Sequence, residues 1–405
     1  MAPGGRLAMK WLYFLLIFTF PFGQLQKIPI FLEQFPEVNL YLTDFISLAI
    51  LIFWLTKLIK KQVSPSKNIK YFLPFFIAAA IPLFLNISWL GTRNILVSSF
   101  YLVRLIAYAG VYFAFPLLKL PAKKTQKIFR LLYWAGVLLA IFGLLQYIFY
   151  PDIRPLSSYG WDPHLYRVVS TFLDPGFTGL ILVLSLIVAL EDSLHYSRKI
   201  LNILPTILIY LTLILTYSRS SYLALIFAAA FILFSQKKSR LFWIFLIFFL
   251  ITIFFAPRPA GEGVRLERTS TIKARLQSYQ RGINIFLKNP ISGVGFNSYR
   301  YAQNKIFPDI EQTLINRGGS SPDSSLILIL ATTGIIGITI FGLTTAKIVS
   351  PLLKKNKEPA SNLILASFIA ISIHSLFLNS LFYPPVMIWL FLLLGAGEIK
   401  ADSKL

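Results

Sequence analysis

The chain contains no cysteine. A disulfide framework, a thiolate metal centre and a cysteine nucleophile are therefore excluded. Charge is scarce as well. It falls on 14% of the 405 residues, where a water-soluble domain of this length carries about 25%. Acidic side chains are the rarer sign, 16 Asp and Glu against 39 Lys and Arg, for a formal net charge of +23. The histidines His164, His195 and His374 are too scattered to make a metal signature. Also missing are a long Gly/Ser or Pro linker, a strong internal repeat of the inverted-transporter kind, and a small-residue cleavage site after the first apolar segment. These absences favour one integrated unit that keeps its first helix.

What is present is apolar: 56% of residues are hydrophobic and the mean hydropathy is +0.69. The apolar residues fall in blocks of about twenty, each long enough at ~1.5 Å per residue to cross a hydrocarbon layer of roughly 30 Å. They predict an all-α polytopic transmembrane bundle of about twelve helices. The blocks lie near residues 11–22, 41–60, 71–89, 94–118, 129–150, 171–190, 200–217, 220–234, 241–256, 325–349, 363–379 and 381–397. A structured extracytoplasmic loop is expected between helices 9 and 10. The chain then divides into 1–256, 257–322 for that loop, and 323–405.

Lys57, Lys60, Lys61, Lys67 and Lys70 crowd one short loop, and Lys119, Lys123, Lys124 and Lys127 another. Loops rich in Lys and Arg stay cytoplasmic and face anionic lipid. This assigns both termini to the cytoplasm and explains most of the net charge. No basic helix or aromatic–basic motif accompanies it, which argues against nucleic acid. Loops expected outside are poor in cations; 24–39 has Lys27 beside Glu33 and Glu37. The loop 257–322 breaks the rule, with Arg258, Arg265, Arg268, Lys273, Arg275, Arg281, Lys288, Arg300, Lys305 and Arg317. Cations on the disfavoured side need a reason, and an anionic ligand at the outer face supplies one.

That loop has order of its own. Leu276, Tyr279, Ile283 and Phe286 follow helical spacing over 267–288, and Asn289-Pro290 stops the helix. Gly293-Val294-Gly295 reads as a turn and 297–307 as a second short helix, together capping the bundle.

Several side chains are candidates for chemistry. Arg219, in Tyr217-Ser218-Arg219-Ser220-Ser221-Tyr222, is either a headgroup anchor or a fork for two phosphate oxygens. Arg275 and Arg281 stand on the amphipathic helix expected to face the bundle, with Arg265 nearby, whereas Arg268 and Lys273 are equally readable as solvated. Two or three arginines from different segments suit a diphosphate and the charge that grows on it as it leaves. Arg104 lies inside an apolar run; a charge there marks a site, or an ion pair for which Asp44 is the candidate partner. Asp323, in Ser320-Ser321-Pro322-Asp323-Ser324-Ser325, is either a helix cap or a general base for an acceptor hydroxyl. Other outer carboxylates include Asp162, Asp174, Asp309 and Glu311. His164 and Trp161 on an outer loop suit ligand binding, Trp161 by stacking on a sugar face. His374, in an apolar run, reads as a packed neutral side chain.

Three segments in order resemble the O-antigen ligase and Wzy-type O-antigen polymerase superfamily. They are Thr216-Tyr217-Ser218-Arg219-Ser220-Ser221-Tyr222-Leu223; Arg275-Leu276 with Asn289-Pro290-Ile291-Ser292-Gly293-Val294-Gly295-Phe296; and Asp323-Ser324-Ser325-Leu326 leading to Thr333-Gly334-Ile335-Ile336-Gly337. The motif-bearing part covers about 211–340. The resemblance implies a polytopic glycosyltransferase that uses neither metal nor other cofactor. It would move a glycan from a polyprenyl-diphosphate carrier to a glycan, lipid or protein acceptor, on the outer side of the cytoplasmic membrane. By matching position, Arg219 and Arg275 would bind the diphosphate. The family's ligases carry histidine where this chain has Asp323, so the base and the acceptor class depart from the pattern. A transporter or flippase of lipid-linked sugars, or a non-catalytic scaffold of an envelope assembly complex, are the alternatives. The former requires polar residues through the bilayer.

Overall fold

The computed structural model describes residues 3–28, 38–66, 68–195, 203–308, 320–355 and 358–402; Glu33, Glu37, Lys67, Asp309, Glu311 and Arg317 lie outside these ranges. The described residues form helices and no strand. In chain order these are α1 (Pro3–Thr19), α2 (Leu42–Ile59), α3 (Ile69–Leu85), α4 (Ile87–Leu90), α5 (Thr92–Ala114), α6 (Ala122–Phe149), α7 (Pro175–His195) and α8 (Ile203–Ile214). They continue with α9 (Arg219–Ser235), α10 (Ser239–Phe254), α11 (Ser270–Lys288), α12 (Tyr299–Ile306), α13 (Ser325–Leu353), α14 (Pro359–Ser375) and α15 (Pro384–Asp402). The chain is an all-α polytopic membrane protein. Six segments, those of α1, α2, α5, α6, α7 and α13, are long and apolar enough to cross a membrane; α3, α8, α9, α10, α14 and α15 are shorter apolar helices.

Burial sorts the helices. From Pro175 to Val188 every residue of α7 except Phe177 is buried, against α6, α8, α9 and α14, so α7 is the central post. On α10 only Phe242 and Phe249 are buried, while Trp243, Ile244, Ile247, Phe248 and Ile251 are exposed. A helix apolar all round with one buried edge faces hydrocarbon.

The connections collect at two ends. At one, Thr171 Oγ1 donates to Pro21 O at 2.6 Å, Val168 N to Leu215 O at 2.9 Å, and the Tyr279 hydroxyl to Leu376 O. This end gathers the α1–α2, α3–α5, α6–α7, α8–α9, α10–α13 and α14–α15 connections, which are the ones expected outside. The α3–α5 turn joins it through Asn86 Nδ2, which donates to Gly293 O at 3.2 Å. At the other, Asn362 Nδ2 donates to Glu191 Oε2 at 3.2 Å, and Gln236 Nε2 at 3.3 Å. There too Glu398 accepts from Asn68 and from the Tyr112 hydroxyl.

The long span α13 is broken. Gly334 has φ 65° and ψ −167°, so the helical hydrogen bonds cannot run through it. The turn 289–295 fills the gap with its own backbone. Val294 N donates to Ala331 O at 3.0 Å and Gly295 N to Thr332 O at 2.9 Å; in return Ile335 N donates to Pro290 O at 2.9 Å and Ile336 N to Ile291 O at 3.3 Å. Irregular backbone at membrane depth survives only when protein satisfies it. A Cβ on Gly334 would lie 2.2 Å from Ile291 O, and one on Gly293 2.3 Å from the Thr332 carbonyl carbon. Two glycines of separate motifs are thus one contact.

One expectation needs correcting. Of the apolar stripe of α11, Tyr279 and Phe286 are half-buried, Phe286 against the core, while Leu276 and Ile283 are exposed. Ser278, Gly282 and Ile285 are buried, whereas Leu276 is 61% and Leu287 63% exposed. Close approach selects the small side: a Cβ on Gly282 would sit 2.3 Å from Ile327 Cγ2. Ile272, Leu276, Ile283 and Leu287 point away from the bundle.

Candidate functional site

Between α8 and α9 the chain turns through Tyr217 at φ 50°, and Ser218 caps α9 by accepting from Ser221 N. This puts Arg219 on the first turn, reaching sideways. Its Nη1 donates to Leu266 O at 3.1 Å and Arg268 O at 3.0 Å, and its Nη2 to Thr271 Oγ1. Arg219 therefore holds the strip that leads into α11. Beneath it Ser221 Oγ meets His374 Nε2 at 3.2 Å, and His374 Nδ1 meets Ser380 Oγ at 2.6 Å. His374 is fully buried, as its apolar setting suggests.

Two further arginines join this corner, and sequence alone gives them too little weight. Arg268 is buried rather than solvated; its Nη1 donates to Gly263 O at 2.8 Å and Arg265 O at 2.7 Å, and its Nη2 to Tyr217 O at 3.3 Å. Arg167 is buried too, donating through Nε to Thr216 O at 2.9 Å and through Nη2 to Tyr217 O at 3.3 Å. The signal for Arg167 was an arginine directly before the apolar pair Val168-Val169. Arg275, one turn along α11, is half-buried with its guanidinium 5.7 Å from the Phe377 ring centre. These groups feel one another. Burial, then Arg219 and Arg275, lowers the pKa of Arg268; burial, then Arg268, lowers that of Arg167. Arg167 and Arg268 stay protonated at neutral pH, since an arginine starts from so high a value. Among the described residues none of Arg167, Arg219, Arg268 and Arg275 makes an ion pair with a carboxylate.

Asp323 lies just before α13, where Ser324 is the residue that caps the helix through Ile327 N. Its own N–H donates to Ser278 Oγ at 3.0 Å, which leaves the carboxyl on the wall of a cavity of about 130 Å³. Trp161, Asp162, Asp174, Asn379 and Tyr383 share that wall. Burial raises the Asp323 pKa; Arg275 and Arg281 oppose the shift and Asp162 adds to it. Asp174 is pushed up to about 6 by burial, even though its Oδ1 caps α7 through Gly176 N at 2.7 Å and Phe177 N at 2.8 Å. His164 is held down to about 3 by burial and by Arg167 and Arg268, with Arg167 Nη1 at 3.5 Å from its Nδ1. Oxygen and nitrogen atoms of Asp162, His164 and Asp174 come within 4.8 Å of one another. That spacing would suit a cation, but the flanking guanidinium groups and the capping duty of Asp174 oppose one.

A second cavity of about 240 Å³ adjoins the first and shares Gln24, Ser321, Asn379 and Tyr383 with it. Arg104 is on its wall, paired with Asp44 at 2.7 Å and bonded to Asn39 O. The partner foreseen for it is the one it has. Arg281 is half-buried, its charge acting on Asp323. Arg265 is exposed, and its carbonyl rather than its guanidinium serves the corner.

Residues 204–342 match a family model described as O-antigen ligase. The matched stretch runs from α8 into α13 and so contains Arg219, Arg268, Arg275, Arg281, Asp323 and the interlock of Gly293 with Gly334. It supports the O-antigen ligase/Wzy superfamily resemblance and an O-antigen-ligase-like function in general. No curated protein matches the chain. The loop carrying Trp161, Asp162, His164 and Arg167 lies outside the matched stretch and is joined to it only by folding.

Proposed function

We propose that the chain is a glycosyltransferase that moves a glycan from a polyprenyl diphosphate to an acceptor hydroxyl at the outer face of the cytoplasmic membrane. The observation that carries this reading is the position of Arg275. It lies within electrostatic reach both of Arg167, Arg219 and Arg268 and of Asp323. A positive corner next to a carboxylate with a raised pKa is the arrangement that displacement of a diphosphate by a hydroxyl requires.

In this reading Asp323 takes the proton as the acceptor oxygen bonds to the anomeric carbon. The bond from that carbon to the diphosphate oxygen breaks, and the departing oxygen keeps the electron pair. Arg275 meets the diphosphate directly. Arg219 and Arg268 hold the strip before α11 through its carbonyls and contribute charge from behind, and Arg281 balances the Asp323 carboxylate before it takes the proton. No metal is needed, because the guanidinium groups supply the counter-charge. A flippase reading gains nothing from the broken span, since the turn 289–295 fills the break. The loop charges support cytoplasmic termini.

The test is transfer by the purified chain in lipid, given a polyprenyl-diphosphate glycan and a membrane extract as acceptor source. Loss of transfer in both Arg275→Ala and Asp323→Ala is expected. Wild-type rates in both variants would end the proposal.

A further inference from the structure

We infer that α11 and the turn after it are seated in the outer leaflet of the bilayer, with Ile283, Leu287 and Ile291 against lipid hydrocarbon. The loop 257–322 is then in part a membrane anchor and not wholly a cap in water. This assigns a lipid surface as the partner of an apolar side that the described residues leave uncovered, and it does not depend on the transfer reading.

The neighbours of α11 along α13 fix its depth. Asp323 N donates to Ser278 Oγ at 3.0 Å, a Cβ on Gly282 would meet Ile327 Cγ2 at 2.3 Å, and Ile336 N donates to Ile291 O at 3.3 Å. The two segments run in the same direction, so α11 descends beside α13 from the outer end. The 29 residues of α13 make about 43 Å of helix, against a hydrocarbon layer of roughly 30 Å. Ile336 is about 16 Å in from Ser325. Even with the whole excess length projecting outward, Ile336 lies inside the hydrocarbon, and Ile291 with it. Ile335 and Ile336 are 55% and 49% exposed, and Ile291 is 68% exposed. On a span, exposed apolar side chains face lipid. From Ile291 the exposed apolar surface continues up α11 at Leu287 and Ile283, one turn apart. The lipid that covers the span therefore covers this stretch too.

The sides of α11 agree with that seat. Ser278, Gly282 and Ile285 pack on protein; Ile272, Leu276, Ile283 and Leu287 form an exposed apolar side; Lys273, Gln277, Gln280 and Lys288 form an exposed polar one. A helix lying on a bundle in water needs only the first and the last. Three sides suit a helix at a membrane surface, where protein, hydrocarbon and water each meet one. No Asp or Glu occurs in α11, so its polar side meets lipid phosphate without repulsion. Lys288, near the lower end, is long enough to return its ammonium to the headgroups. Both ends are tied to the ends of apolar helices. Thr271 Oγ1 accepts from Arg219 on the first turn of α9, and Asn86, which ends α3, accepts from Asn289 Nδ2 at 3.4 Å and donates to Gly293 O at 3.2 Å. These ties keep α11 from swinging out of the leaflet.

The test uses the absence of cysteine, which lets one introduced thiol take a spin label cleanly. Leu287→Cys, Ile291→Cys, Gln277→Cys and Gln280→Cys are each labelled in the full chain, in vesicles of phosphatidylcholine and phosphatidylglycerol. Collisions are read with oxygen, which concentrates in hydrocarbon, and with a nickel chelate, which stays in water. Labels at positions 287 and 291 are expected about 5–10 Å beneath the phosphates, and those at 277 and 280 at or above them. A wild-type melting temperature in all four shows the bundle to be intact. Labels at 287 and 291 that meet nickel as readily as those at 277 and 280 would put the helix in water and overturn the inference. Labels there shielded from both reagents would overturn it as well, since a second protein chain and not lipid would then cover the side. Equal oxygen contact at all four positions would remove the sidedness on which the seat depends.

Discussion

The two ends of the bundle bury charge in the same way and to different effect. At the outer end, Arg167, Arg219 and Arg268 are bonded to main-chain carbonyls; at the inner end, Glu191 and Glu398 are bonded to amides and a phenol. Neutral partners satisfy the hydrogen bonds of these groups without cancelling their charge. Arg104 with Asp44 is the contrast, a pair that leaves almost none. What separates the ends is space. The outer end holds cavities of about 240 and 130 Å³, while the pocket beside Glu191 is about 30 Å³. One end is arranged to take a ligand, the other to fasten helices.

Breaking the outer end should have the largest effect. Arg275→Ala is expected to lower the transfer rate by about 10²–10³-fold with the melting temperature unchanged, as for loss of one donor to a developing oxyanion. Rates from lipid-linked glycan and thermal melts in detergent check both halves. Next comes Arg268→Gln, which keeps some bonds to carbonyls but removes charge; a fall of about tenfold, mainly through weaker donor binding, is expected from titrations against undecaprenyl diphosphate.

The pH profile sharpens the picture of Asp323. Its working form is the carboxylate, so transfer should decline as pH drops through its raised pKa. Asp162 adds to that rise, so Asp162→Asn lowers the pKa and moves the acid limb of kcat/KM to lower pH. A limb that stays put or moves upward would separate Asp162 from Asp323. The smallest effect belongs to the inner end. Glu191→Gln keeps a polar group for Asn362 and Gln236, so transfer should stay within about twofold and stability fall by about 1 kcal/mol. Denaturant melts and initial rates measure this, and a large rate loss would erase the distinction between the ends.

The apolar blocks marked out the helices because a span needs a length of apolar chain whatever its neighbours are. Charge asymmetry likewise grouped the loops. The pairing of Arg104 with Asp44 was legible because an ion inside an apolar run has few available partners. Arg268 and Arg167 were not, since an arginine in a polar loop looks solvated until folding brings Gly263, Thr216 and Tyr217 carbonyls to it. The packed face of α11 was legible only at Tyr279 and Phe286, for a related reason. Hydrophobic spacing marks the apolar side, but contact with α13 required the absence of side chain at Gly282.

The interlock at Gly334 has a mechanical result. Four main-chain bonds tie residues 290–295 to both halves of one membrane span, so that span and the outer cap form a single rigid part. Grafting a cap from another chain would have to bring the matching half-span with it, and a one-residue insertion ahead of Gly293 would jam the joint rather than lengthen a loop.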